Sequence, residues 1–260
     1  MKKKLTLVVT CVVLVAAMVI GGTLAYFTDT TEEKKNTFTV GGVDISLTED
    51  SWKEEEDHTL MPGKSFAKDP KITVANGSQD AWVFLKVDLN KYVSLINLMG
   101  VDAYKHNIGG LEGEYPGFTA FVNALIADND LRATVLGRWF TGIDHSVWQV
   151  INLSEVQDAV AKVATKVNPA HLEIILGYKT VLSAKGSVTF MASFGMPSTI
   201  TASMLNGDDA YYIDGVSKSN FSSVNAEGKE SPFKMTFTAY AIQAAELKTL
   251  DLAYEALFAK

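Results

Sequence analysis

Residues 5–20 form an unbroken apolar run relieved only by Thr6, Thr10 and Cys11, and what the chain folds into depends on whether that run is part of the fold. As a helix, those residues reach about 24 Å, short of the roughly 30 Å hydrocarbon core of a bilayer. Lys2, Lys3 and Lys4 precede the run, Gly21-Gly22 breaks it, and Thr23-Leu24-Ala25 puts small residues at the last and third-last places before a cut. This is the layout of a secretory signal peptide over residues 1–25, with cleavage between Ala25 and Tyr26. An uncleaved anchor is the competing reading. Membrane contact is expected only before cleavage, and residues 26–260 are left to fold as a single domain.

Cys11 is the only cysteine, so the chain beyond the cut has no thiol. That excludes a disulfide framework, a cysteine nucleophile and cysteine-ligated metal from the mature domain. The net charge is −7, and setting aside Lys2–Lys4 from 23 basic residues leaves 20 against 30 acidic ones, or −10. A nucleic acid partner is not expected, since phosphate neutralisation requires clustered Lys and Arg.

Past the junction the period is two. Phe38 and Val40, then Val43, Ile45 and Leu47, alternate with polar residues, and Gly41-Gly42 shifts the phase as a bulge would. Residues 71–75 and 81–89 read as the next strands, joined as a hairpin through Asn76-Gly77-Ser78. In the middle of the chain, residues 91–168, the period lengthens. Phe118, Phe121, Val122, Leu125 and Ile126 make one helical stripe, and Val156, Ala159, Val160, Val163 and Val167 make another. Ser154-Glu155-Val156-Gln157 reads as a capping box opening the second helix, which Pro169 ends. Residues 132–140 and 146–151 fit either helix or loop.

Strand character returns at residues 172–182 and 187–194, a hairpin turning at Ala184-Lys185-Gly186, and again at 198–202 and 232–243. Residues 244–258 close the chain with a helical stripe of Leu247, Leu250, Ala253, Tyr254 and Leu257. Strands at both ends with helices between predict a mainly β fold: an antiparallel β-sandwich with an α-helical insertion and a C-terminal helix.

Chemistry is sparse. His58, His106, His145 and His171 are scattered, without an HExxH pair. His171 and Glu173 share a strand face and could hold a metal weakly, though a solvated edge explains them better. The acids Glu54-Glu55-Glu56-Asp57 read as a solvated loop, and Asn206-Gly207-Asp208-Asp209 with Asp214 lacks the oxygen spacing of an EF-hand. Gly109-Gly110-Leu111-Glu112-Gly113 lacks the Lys-Ser/Thr of a phosphate loop, and no Gly-x-Ser-x-Gly elbow occurs. No catalytic residue, metal or cofactor is expected.

The junction carries a family resemblance. Gly21-Gly22-Thr23-Leu24-Ala25, then Phe27 and Asp29, then Asn36-Thr37-Phe38 and Gly41, resemble the N-terminus of the TasA/camelysin family of secreted bacterial proteins. Pro62-Gly63, Lys68-Asp69-Pro70, Val83-Phe84 and the closing Ala239-Tyr240-Ala241-Ile242-Gln243-Ala244 resemble later strands of that family. The resemblance implies a jelly roll, processing by a SipW-type signal peptidase, and a structural role in extracellular biofilm-matrix or cell-surface fibres. It further implies that the freed segment, here Tyr26, Phe27, Thr28 and Asp29, pairs as a donor strand with the next copy of the chain. An accessory matrix protein is a further partner such fibres use. Camelysin has been classed as a cell-surface metalloprotease, which is the alternative reading, and a monomeric surface adhesin on the same fold is a third. Mass spectrometry of secreted material is expected to give an N-terminus at Tyr26; retention of Met1 in a membrane-bound protein would overturn the processing and the fibre together.

Overall fold

The computed structural model describes residues 38–40, 42–53, 58–90, 92–111, 118–164, 171–206 and 233–258. Its centre is β5 (Ala81–Asn90), which is hydrogen-bonded on both sides. β11 (Met235–Gln243) runs antiparallel to it from Met235 opposite Leu89 to Gln243 opposite Ala81. On the other side β8 (His171–Tyr178) pairs antiparallel, with Phe84 opposite Gly177 and Asn90 opposite His171. β1 (Phe38–Val40) and β7 (Trp148–Val150) complete a five-stranded sheet in the order β1-β11-β5-β8-β7. β1 is its one parallel member, with Phe38 opposite Tyr240.

Two three-stranded antiparallel sheets accompany it. One is β2 (Ile45–Glu49), β4 (Pro70–Val74) and β9 (Ser187–Thr189), in the order β2-β4-β9. The other is β3 (Ser65–Ala67), β10 (Ser193–Gly195) and β6 (Phe140–Thr141), in the order β3-β10-β6. The fold is mainly β and antiparallel, as the sequence pattern predicts. Val83, Leu85 and Val87 of β5 share one buried core with Ile45 and Leu47 of β2 and Ile72 and Val74 of β4, so the large sheet and the β2-β4-β9 sheet enclose apolar side chains as a sandwich does.

β5 records in its sequence what lies on each face. Ala81 to Leu85 are all buried, whereas from Lys86 onward only alternate residues are. The reason is a second, smaller core on the outer face. Trp82, Phe84, Ile175 and Ile242 meet Ala253 of the C-terminal helix α6 (Leu250–Phe258), and Leu250, Leu257 and Phe258 close over them. The Phe84 and Phe258 rings stand edge to face at 5.7 Å, and Trp82 donates its indole N–H to the Leu247 carbonyl at 2.7 Å. Gly177 of β8 permits this close cover, because a Cβ there would lie 2.8 Å from the Leu250 side chain.

Between β5 and β8 come four helices: α1 (Tyr92–Lys105), α2 (Phe118–Ala127), α3 (Asn129–Leu136) and α4 (Leu153–Ala164). Asp128 caps α3 by accepting the Asp130 and Leu131 N–H groups at 2.9 Å. Tyr92 of α1 is fully buried and donates its hydroxyl to the Ala159 carbonyl of α4 at 3.3 Å. Asp102 of α1, 1% exposed, gathers the Arg138 guanidinium at 3.1 Å, the Thr199 hydroxyl at 2.6 Å and His106 at 3.1 Å.

Several sequence expectations are corrected. Gly41-Gly42 does not interrupt one strand: β1 belongs to the large sheet and β2 to a small one, so the phase shift marks a change of sheet. Asn76-Gly77-Ser78 does turn with Gly77 at φ +86°, but β4 and β5 are likewise in different sheets and form no hairpin. The same holds for β8 and β9, although Lys185 between them has φ +64°. Residues 198–202 are not a strand; they lead into the short helix α5 (Ala202–Asn206). Ser154 lies inside α4 rather than before it and donates to the Glu155 carboxylate, so the capping box is not formed as expected. The closing helix begins at Leu250 rather than at 244. The undecided residues resolve into α3 and β6, and into β7. Helix α1, for which no stripe was read, is apolar nearly all round.

Phe84 is 0% exposed and links the sheet to α6. Phe84→Ala is expected to cost about 3–5 kcal/mol of unfolding free energy, read by chemical denaturation.

Candidate functional site

The residues that the sequence marks for processing and strand donation, Thr23, Ala25, Tyr26, Phe27, Thr28 and Asp29, lie outside the described residues. The first described element after them is β1, which sits at one end of the five-stranded sheet and, among the described residues, covers Tyr240, Ala241 and Ile242 of β11. An edge strand directs one row of backbone N–H and C=O groups away from its own sheet, where another strand can pair with them. The acids at 54–57 and 208–214 also lie outside the described residues.

All four histidines are described, and each has different company. His58 stacks on Trp52 with ring centres 3.7 Å apart. His106 serves the buried Asp102. His171 bonds Asp88 across the β5–β8 ladder at 2.9 Å, while Glu173 takes Lys86 at 3.1 Å. The strand-face pair His171 and Glu173 is therefore divided between two cross-strand ion pairs, a usual arrangement on a solvated sheet face.

His145 lines a cavity of about 470 Å³ that sequence reasoning did not foresee. The inner face of the large sheet supplies Leu89, Leu172 and Leu176 to one wall, and the helices supply Leu95, Met99 and Leu136 to the other. Among the described residues, the charged and amide lining comes from Arg132, His145, Gln149 and Lys179. Lys179 donates its ammonium to the His145 and Ser146 carbonyls at 3.3 and 2.8 Å. Burial pushes the His145 imidazole below its ordinary value, and the nearby Arg132 guanidinium adds to this. Burial likewise draws Arg132 down, with Asp128 opposing. These residues come from separate elements, α3, the loop before β7 and the residue after β8, so no local motif could announce them.

A family model described as camelysin metallo-endopeptidase matches residues 1–100. Over that stretch, well under half of its length, the chain is similar to the camelysin family. No curated protein and no solved structure is significantly similar to it. The camelysin match runs from the apolar N-terminal run through β5 and into α1.

The metallo-endopeptidase description of that family raises the question of a metal centre. A catalytic zinc takes three protein ligands and a water. Among the described residues no group of three or more His, Cys, Asp or Glu side chains is placed to hold a metal ion. Those residues do not fit a camelysin-type peptidase centre, and no metal-dependent step follows from them.

The proximity of His145 and Arg132 makes a titration prediction. His145 followed by NMR is expected to titrate below 6.5, and Arg132→Gln is expected to raise its value, because removing a positive neighbour favours the imidazolium. A value unmoved by that substitution would show that the two groups do not sense one another.

Proposed function

We propose that the chain is a secreted structural subunit of extracellular matrix or cell-surface fibres, joined to copies of itself by strand addition through its N-terminal segment. The observation that carries this reading is the place of β1. The family match spans the processing junction, and the first described strand beyond that junction lies on the edge of the main sheet, in the parallel orientation. A segment freed immediately upstream is delivered to a sheet edge, where main-chain hydrogen bonds supply affinity and alternate side chains supply specificity. Tyr26 and Phe27 point to opposite faces of such a strand, and Phe27 is the anchor assigned here. Burying one large apolar side chain contributes roughly 1.5–3 kcal/mol, equivalent to a ten- to hundredfold change in association. A joint between unlike surfaces repeats head to tail, so it grows filaments instead of closing into a dimer.

In this reading the signal peptidase of SipW type frees the segment, the protein is non-enzymatic, and an accessory matrix protein is a candidate partner. A surface metallo-endopeptidase is the second reading. It is favoured by the family's description and opposed by the dispersal of the four histidines.

Protein starting at Tyr26 is expected to form filaments visible by electron microscopy. Removal of residues 26–35 is expected to leave the circular dichroism spectrum unchanged and the protein monomeric, and Phe27→Ala is expected to slow growth. Truncated protein that polymerised as readily would exclude this segment as the joint. Chelator-sensitive casein cleavage by the same preparation would favour the peptidase instead.

A further inference from the structure

We infer that the cavity between the large sheet and the helices is a binding site for an anionic amphiphile: one apolar chain carrying a single acidic head. The volume of about 470 Å³ lies within the range of small-molecule sites, roughly 300–1,000 Å³. Its interior is aliphatic and aromatic. Val87 and Leu89 of β5 and Leu172, Ile174 and Leu176 of β8 form its sheet wall. Such a wall offers a ligand hydrophobic burial without directional partners, which suits a chain better than a sugar or nucleotide.

The head-group chemistry comes from the lining's polar members. Arg132, His145 and Lys179 are basic, Gln149 is neutral, and among the described residues no acid lines the cavity. This occurs in a chain of net charge −7 with only two arginines, one of which is placed here. The Lys179 ammonium has three donors, and two are satisfied by the His145 and Ser146 carbonyls, which aim the charge and leave a third donor. Two carboxylates stand close by. Asp144 holds the Ser146 N–H at 2.9 Å and its hydroxyl with the same oxygen, and Asp128 caps α3. Both are engaged outside the lining, so they soften the positive field without occupying the place of a ligand anion. Leu153, which also lines the cavity, is 37% exposed. The inference does not rest on the fibre reading, which concerns the segment at residues 26–35.

The test is calorimetric titration of the secreted protein, purified as monomer, with laurate, dodecyl phosphate, dodecanol and dodecyltrimethylammonium below their micellar concentrations. One laurate or dodecyl phosphate per chain is expected, with the neutral alcohol at least about tenfold weaker and no binding of the cation. A preference for laurate identifies a free fatty acid as the natural class, and a preference for the phosphate a phospholipid head; either supports the site. Lys179→Gln is expected to weaken the anions about tenfold and leave dodecanol unchanged. Placement is read separately by methyl-labelled methionine: Met99 and Met235, which line the cavity, should shift on titration while Met61 and Met204 should not. Equal affinity for alcohol and anion, indifference to Lys179→Gln, or methyl shifts confined to methionines outside the cavity would each overturn the inference.

Discussion

The backbone pairing of β5 holds the molecule together. Its ten residues are bonded to β11 on one side and β8 on the other, and its side chains supply both cores. β5 cannot slip by one residue without turning Lys86 and Asp88 into the core that Leu85 and Val87 occupy, so the register of the whole sheet is fixed there. The change along β5 from continuous burial to alternation is the same fact seen from the side. α6 covers the first half of its outer face, and charged residues occupy the rest.

The helices are fastened to this frame by polar contacts as much as by oil. Asp102 lies in the interior with Arg138, Thr199 and His106 around it, joining α1 to the chain before β6 and to the loop after β10. A buried carboxylate is tolerable only when its oxygens are matched in this way. Asn97, one turn earlier and equally buried, has no partner for either end of its amide among the described residues, a cost the surrounding Leu95, Leu98 and Met99 must offset.

Local pattern and long-range pairing were unequally legible in the sequence. Strands β2, β4, β5 and β11 and helices α2 and α4 could be read because period two and period 3.6 are properties of a few consecutive residues. Their partners could not. Every predicted hairpin joined strands that sit in different sheets, since a turn with φ above zero directs the chain without saying whether the next strand returns to the same sheet. α1 escaped for a different reason: a helix with Tyr92, Leu95, Leu98, Met99 and Val101 buried has no polar side to make a stripe. The candidate site divides in the same way. The residues expected to direct processing, Thr23, Ala25 and Tyr26, are nearly contiguous and could be proposed from the sequence, whereas Arg132, His145 and Lys179 converge only after folding.

The uncovered half of the outer sheet face has its own consequence. There Lys86 pairs with Glu173 and Asp88 with His171, side by side across two neighbouring strands. Stacking a second sheet on this face would strip water from four ionisable groups at once, a penalty of several kcal/mol per ion before relaxation. Steric-zipper interfaces need dry, interdigitating side chains, and this surface denies them. A molecule so rich in β-structure can therefore be crowded at high local density, flank against flank, and remain hydrated between its layers instead of fusing into a cross-β solid.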